Sequence, residues 1–348
     1  MFKKKTVLIV GAGGSYDLNF PLGEGLKGII ATKLDLRFEG FRELASGDPL
    51  VLKALEAAAQ QKNQGQIDNY LNACRSIVSA MPLAISIDNF LHTHSNDAEI
   101  VLCGKLGIAA AILEAEKNST IMADKNRSGR IAFGGNNSLL WHNIFCKILT
   151  ENIQSDSIDA IFDNVSIVTF NYDRCIEHWI SHWLSVYFRI ELEEAEALAS
   201  KLKIFHPYGQ IGRLPWQNSI YQKVGFGQNI DSRELLEISQ QLRTFTERIS
   251  DHQMVEDIRS EISAAETIVY LGFSYGEMNM QLLSMNKPGS RKRVIGTALG
   301  ISPQNRDIIQ QSIIRSVTHE GSIFWDSCSL EPDACNKLLD SYWRVLTS

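Results

Sequence analysis

The sequence predicts an α/β fold, a parallel sheet carrying a large all-helical insertion. Three observations predict it. Short apolar runs rich in β-branched residues stand on both sides of a long helical stretch: Val7–Val10, Val165–Val168, Thr267–Leu271 and Arg293–Ala298. Each has the length of a strand buried on both faces. The first runs directly into Gly11-Ala12-Gly13-Gly14-Ser15, a glycine-rich turn ahead of a helix. A strand, a turn without side chains and a helix N-terminus together form the junction at which open α/β sheets hold phosphates. From residue 31 to 154 the apolar residues recur instead at helical spacing. The expected organisation is a Rossmann-like nucleotide-binding domain made of 1–30 and 155–348, with 31–154 as the helical insertion.

The elements follow in order. Gly23–Ala31 is the helix that receives the glycine turn. Pro49–Lys62 and Ile67–Val78 have helix-forming composition and are separated by Asn63-Gln64-Gly65. In the apolar stretch Pro82–His92, Asp88 is a helix cap, a buried structural partner or a site residue. Asp97–Lys117 reads as a long helix, Asn118–Asn137 as a polar loop and Trp141–Leu149 as an amphipathic helix. The strand Val165–Val168 then ends in Thr169-Phe170-Asn171-Tyr172-Asp173 and is followed by the helix Ile176–Val186. A short strand, Lys203–Phe205, leads into His206-Pro207-Tyr208-Gly209. Helices over Ser232–Ile249 and Met254–Ala264 precede Thr267–Leu271, which ends in Gly272-Phe273-Ser274-Tyr275-Gly276. After Arg293–Ala298 the pattern predicts an edge strand at Ser322–Trp325 and a terminal helix over Asp333–Leu346.

Composition narrows the function. The 348 residues are 44% hydrophobic, an ordinary globular balance, and the net charge of -6 argues against a general nucleic-acid-binding surface. The apolar run after Lys3–Lys5 breaks at Gly11, too soon for a signal-peptide core, and no stretch is long and apolar enough to span a bilayer. These features predict a cytoplasmic protein that neither enters a membrane nor binds nucleic acid directly. The six cysteines form no CxxC pair, so no structural zinc is expected, and reduced buried thiols are the plain reading.

The glycine turn matches neither common phosphate template. In G-x-G-x-x-G the last position falls on Tyr16, and no Gly-Lys-Ser/Thr follows for a P-loop. At the end of the second strand an amide, Asn171, and a carboxylate, Asp173, stand two positions apart. Such a pair suits gripping ribose hydroxyls and placing a water, although either residue also suits the N-cap of the next helix. His206 follows the third strand with Pro207 stiffening the turn, and histidine titrates near neutral pH.

GAGGS with Pro21 and Gly23 shortly after, then Asn171-Tyr172-Asp173, resembles in order the first two nucleotide-binding motifs of the sirtuin-like (Sir2) superfamily. Gly272 and Ser274 resemble its later Gly-x-Ser. The likeness covers 1–30 and about 160–300; the Ser86-Ile87-Asp88 segment and the Gly104-Lys105 helix resemble only its bacterial branch. The resemblance implies an NAD site built from Gly11, Ala12, Gly13, Ser15, Pro21, Asn171, Asp173, Gly272 and Ser274, with Asn279 on the adenosine side. Sirtuins carry a His-Gly pair whose histidine is the general base. Here Gly209 aligns with that glycine and Tyr208 with the histidine, while His206 lies two residues earlier. Either His206 swings in as the base or the base is lost. The chain also lacks the family's four-cysteine zinc module. Members without that module tend to be NAD-degrading effectors of anti-phage defence.

The first expectation is therefore an NAD glycohydrolase releasing nicotinamide and ADP-ribose, with Asn171, Asp173 and His206 catalytic. It takes NAD as substrate and uses no metal. An activating partner protein or a homo-oligomer is implied. The alternative is a non-catalytic subunit that binds NAD or ADP-ribose, supported by Tyr208 at the histidine position. A deacylase would want the zinc module. A dehydrogenase can claim only Asp35, roughly 20 residues beyond the turn.

Overall fold

A computed structural model describes residues 1–40, 43–61, 67–123, 129–245, 247, 252–285, 291–318 and 325–348. Outside them lie the expected breaker Asn63-Gln64-Gly65, part of the polar loop 118–137, the end of the helix expected over 232–249 and residues 322–324 of the expected edge strand. The strands are β1 (Thr6–Val10), β2 (Arg37–Glu39), β3 (Glu43–Ser46), β4 (Val165–Thr169), β5 (Lys203–Phe205), β6 (Thr267–Leu271), β7 (Lys292–Thr297) and β8 (Trp325–Glu331). Among the described residues the helices are α1 (Gly23–Leu34), α2 (Pro49–Gln61), α3 (Asp68–Ala80), α4 (Ile87–Thr93), α5 (Ala98–Lys117), α6 (Trp141–Thr150) and α7 (Cys175–Phe188). There follow α8 (Leu192–Ala199), α9 (Ser232–Ser239), α10 (His252–Ala264), α11 (Glu277–Leu283), α12 (Pro303–Val317), α13 (Cys335–Ser341) and α14 (Trp343–Thr347).

Six strands form one sheet in the order β5-β4-β1-β6-β7-β8, and every neighbouring pair is parallel. Counted along the sheet's own strands this is 3-2-1-4-5-6, the order of doubly wound dinucleotide-binding sheets. The first strand in the chain lies in the middle, where Ile9 sits opposite Val168 on one side and Tyr270 on the other. Helices cover both faces, so all five residues of β1, β4 and β6 are buried. This is why these strands read as continuous apolar runs rather than as alternations. Each fully buried aliphatic side chain here contributes about 1.5–3 kcal/mol relative to exposure.

The chain between β1 and β4 holds α1 to α6. Its axis is α5, buried on nearly every side, so the apolar residues run all round the helix. Asp97 starts it by accepting from the amides of Glu99 and Ile100. This region is not wholly helical: β2 and β3 pair antiparallel beyond α1, which itself continues through residue 30 to Leu34. β2 is exposed throughout and Gly40 turns with φ 55°. So short a solvent-facing ribbon carries too little apolar alternation to read as strand. Two further expectations change. The helix from Ser232 stops at Ser239, because the chain turns to let the Arg243 amide donate to the Tyr208 carbonyl. The terminal helix is broken at Tyr342, whose hydroxyl donates to Glu331. The edge strand is longer than the apolar pattern showed, reaching Glu331. No helix among the described residues is long and apolar enough to cross a membrane.

Candidate functional site

In this strand order the connections leave β1 and β6 toward opposite sides of the sheet. The crevice beyond their carboxyl ends is the place where such sheets bind ligands. The glycine turn after β1 and the Gly272 turn after β6 meet there. The Gly11 amide donates to the Leu271 carbonyl (3.0 Å) and the Gly13 amide to that of Gly272 (2.9 Å). A Cβ on Gly11 would lie 2.7 Å from the Gly272 oxygen, and one on Gly13 would lie 2.7 Å from the Gly272 Cα. Gly272 itself has φ 57° and presses on the backbone of Gly13 and Gly14. The glycines thus first let two turns pack backbone to backbone, with two of their amides spent on that contact. Ala12 is the exposed residue between them. Alanine at Gly272 is expected to cost at least about 3 kcal/mol, since the left-handed backbone and the clash oppose it together. A urea unfolding midpoint within error of the wild type would refute this account of the junction.

From this junction a polar chain crosses to β4. Ser15 Oγ donates to Asp173 Oδ2 (2.8 Å) and accepts from Asn171 Nδ2 (3.0 Å). The Asp173 Oδ1 accepts from the Cys175 amide (3.1 Å), so Asp173 serves the start of α7 and the site at once. Burial pushes the Asp173 carboxyl above its ordinary value, against the hydrogen bonds from Ser15 and Cys175 that favour its ionised form. Asn171 caps nothing; its own amide donates to Thr169 Oγ1 (3.2 Å).

His206 is buried beside this chain. Its Nδ1 lies 3.3 Å from the Asn171 carbonyl and its Nε2 lies 2.9 Å from Glu177 Oε1. Both neighbours are oxygen acceptors, so both ring nitrogens are engaged. One of these contacts must break before either nitrogen can face a substrate. Burial would push the Glu177 carboxyl up, but the charge and hydrogen bond of His206 outweigh it and hold it below its ordinary value. Glu177 Oε2 is buried with no hydrogen-bond partner among the described residues. Tyr208, at the position expected for a histidine, is buried and donates to Asn279 Oδ1 (2.7 Å). Gly209 turns beneath it with φ 74°.

The structure therefore brings together Ser15, Asn171, Asp173 and His206, and separately Tyr208 with Asn279. Ser274 is exposed at the β6 turn, and Pro21 lines a neighbouring cleft. Asp88 is not the cap of α4, which is Ser86; it accepts from the Tyr172 hydroxyl. Near the end of β7, Gly296 seats the Tyr275 hydroxyl, which donates to the Thr297 carbonyl (2.9 Å).

Four residues that sequence reasoning passed over complete the surroundings. Glu177 lies one helical turn after Asp173, a spacing that signals a shared face. Arg174 and Glu116 form an ion pair with no exposure at either side chain. Trp141 Nε1 donates to the Gly14 carbonyl (2.6 Å), tying α6 to the glycine turn. No group of three metal-ligating side chains exists among the described residues. Fold and site together define a Rossmann-like α/β protein with helical insertions. No protein-family model and no curated protein matches the chain.

Proposed function

We propose that this chain is an NAD glycohydrolase. The observation that carries the reading is the Asp173–Ser15–Asn171 chain, placed beside the β1–β6 crevice by the two sequence motifs that resemble sirtuin-like nucleotide sites. The reaction breaks the bond between the nicotinamide nitrogen and ribose C1′. Nicotinamide leaves with the bonding electron pair, and water adds to C1′ and releases a proton, giving ADP-ribose. Developing positive charge at C1′ is stabilised by a nearby carboxylate, and Asp173 is the buried one in reach of the turn. Its raised affinity for a proton suits it to receive the proton of the attacking water. The Asn171 amide orients the ribose or the water. His206, held by Glu177 at one nitrogen and facing the Asn171 carbonyl with the other, fixes the backbone that carries Asn171. In this reading the enzyme depletes NAD as an effector of anti-phage defence, under the control of a partner protein or of its own oligomer.

A second reading rests on Tyr208. Its hydroxyl is engaged with Asn279 where sirtuins carry their base, as in a subunit that binds NAD or ADP-ribose without turnover. One assay separates them. Purified protein is incubated with NAD, and nicotinamide and ADP-ribose are followed by chromatography. Asn171→Ala and Asp173→Asn are expected to lower nicotinamide release by about 100-fold or more, with Tyr208→Phe near wild type. Full turnover in Asn171→Ala sinks the assignment. Tight NAD binding without product in the wild type favours the second reading.

A further inference from the structure

A cavity of about 1100 Å³ opens beside the glycine turn. Its walls are the Tyr16–Pro21 segment, one face of α1, the Gly47–Pro49 turn and the last turns of α5. Neither Ser15, Asn171, Asp173 nor His206 lines it. The volume is at the upper end of small-molecule sites.

Two features of the wall stand out. Gly25 and Gly28 lie inside α1, where glycine weakens a helix relative to alanine. A Cβ on Gly28 would meet nothing within 4 Å, and one on Gly25 only the Pro21 Cβ at 3.5 Å. Neither serves a turn or a close approach; what they preserve is the open volume of the cavity. The second feature is charge. Lys33 Nζ is held between Asp48 Oδ2 (2.8 Å) and Glu114 Oε2 (2.6 Å), while Asp48 Oδ1 accepts from the Leu50 and Val51 amides at the start of α2, so one ammonium answers two carboxylates. Asp17 adds a third, exposed and without an ion-pair partner among the described residues. Beside it the Tyr16 ring is 60% exposed at the rim, and Pro21 and Ile29 supply apolar wall.

A cavity with surplus negative charge and an open aromatic face rejects anions and favours a cation that also carries a ring. The geometry points to a binding site for a small organic cation of the arylalkylamine type, its ammonium among Asp17, Asp48 and Glu114 and its ring against Tyr16. This site shares only Pro21 with the nucleotide site that the resemblance implies, and none of the residues given a role in the glycohydrolase reading lines it.

The test uses tryptamine as probe and indole-3-acetate as the anion with the same ring, titrated into the full chain by calorimetry and ligand-observed NMR. Tryptamine is expected to bind at one saturable site with a Kd of about 1 mM or tighter, and the acid not to bind. Asp17→Asn removes an exposed charge that holds no fold contact and weakens tryptamine about fivefold. Gly28→Leu, which fills open space on a helix, abolishes binding while the unfolding midpoint stays at or above that of the wild type. NAD does not compete. Absence of saturable tryptamine binding, equal binding of the acid, or undiminished binding in both variants overturns the proposal. Displacement of tryptamine by NAD overturns it too, by making the cavity part of the nucleotide site.

Discussion

Replacing Arg174 by alanine is expected to destabilise the protein by about 3–5 kcal/mol, the range for a buried ion pair that loses one partner. The guanidinium is fully enclosed. Its Nε and Nη2 donate to Glu116 at 3.0 and 2.5 Å, and the same group reaches the Val224 and Gly225 carbonyls. Glu116 in turn accepts from the Gly227 amide (3.0 Å). Without Arg174, a carboxylate with no exposure has that amide alone. Burial already pushes the Glu116 carboxyl up against the pull of Arg174, so the variant is expected to bind a proton there rather than keep the charge. The Val224 carbonyl also loses its donor, whereas the Gly225 carbonyl keeps the Gln228 amide (3.1 Å). Because typical domains are stable by only about 5–15 kcal/mol, this single change removes much of the margin. The pair joins α5 to the first residues after Asp173, so the local cost falls on the segment that carries the site. The double variant Arg174→Met, Glu116→Leu removes both charges and is expected to recover most of the loss. Urea unfolding of the four species forms the cycle. Additive single-variant losses, or a loss below about 1 kcal/mol for Arg174→Ala, would show that the pair does not hold α5 in place.

What the sequence made legible follows from which physics is local. β1, β4 and β6 were readable because a strand buried on both faces must be apolar throughout, and β5 because it abuts a turn with His206 and Pro207. The polar residues after them stood out because open α/β sheets bind ligands at the carboxyl ends of their strands. Asn171 and Asp173 were singled out on that ground and Ser15 with the glycine turn, and the structure joins the three by hydrogen bonds. The partners that hold them were not singled out. Glu177 looks like any acid on a helix until His206 is brought 2.9 Å from it by a chain separation of 29 residues. Glu116 and Arg174, 58 residues apart, carry no mark that they are enclosed together. The glycine turn was readable in place but not in full, since its match is Gly272, and only the sheet order makes β1 and β6 neighbours. β2 and β3 were missed for the opposite reason: their pairing buries little, so it leaves no periodic trace.

The protein is also expected to lose stability steeply as pH falls from about 6 to 4, through three histidines enclosed without charge. His142 is fully buried, and neither ring nitrogen has a partner among the described residues. Burial pulls it from 6.5 down to about 3. Burial, with help from the Arg130 charge, pulls His182 down to about 4. Burial, then the neighbouring His182, takes His178 well below 6.5, although the Ile121 carbonyl lies 3.2 Å from its Nε2. The sign follows directly. In the unfolded chain these rings take up protons below about 6.5, whereas in the folded chain they do not until near their depressed values. The unfolded state then binds more protons, so stability rises with pH and is lost as pH falls through that window. Each such ring contributes a slope of about 1.4 kcal/mol per pH unit, and the three together about 4 kcal/mol per unit. Thermal unfolding followed in steps from pH 7 to 4 measures this. His142→Phe keeps an aromatic ring of similar size against Trp141, 4.0 Å away between centroids, and removes two unpartnered nitrogens. It is expected to be at least as stable as the wild type at pH 7 and to flatten the acid limb by about one proton's slope. An acid limb unchanged in that variant would mean that His142 reaches solvent in the folded protein. The proton sensitivity would then lie with His178 and His182 on α7, the helix that starts from Asp173.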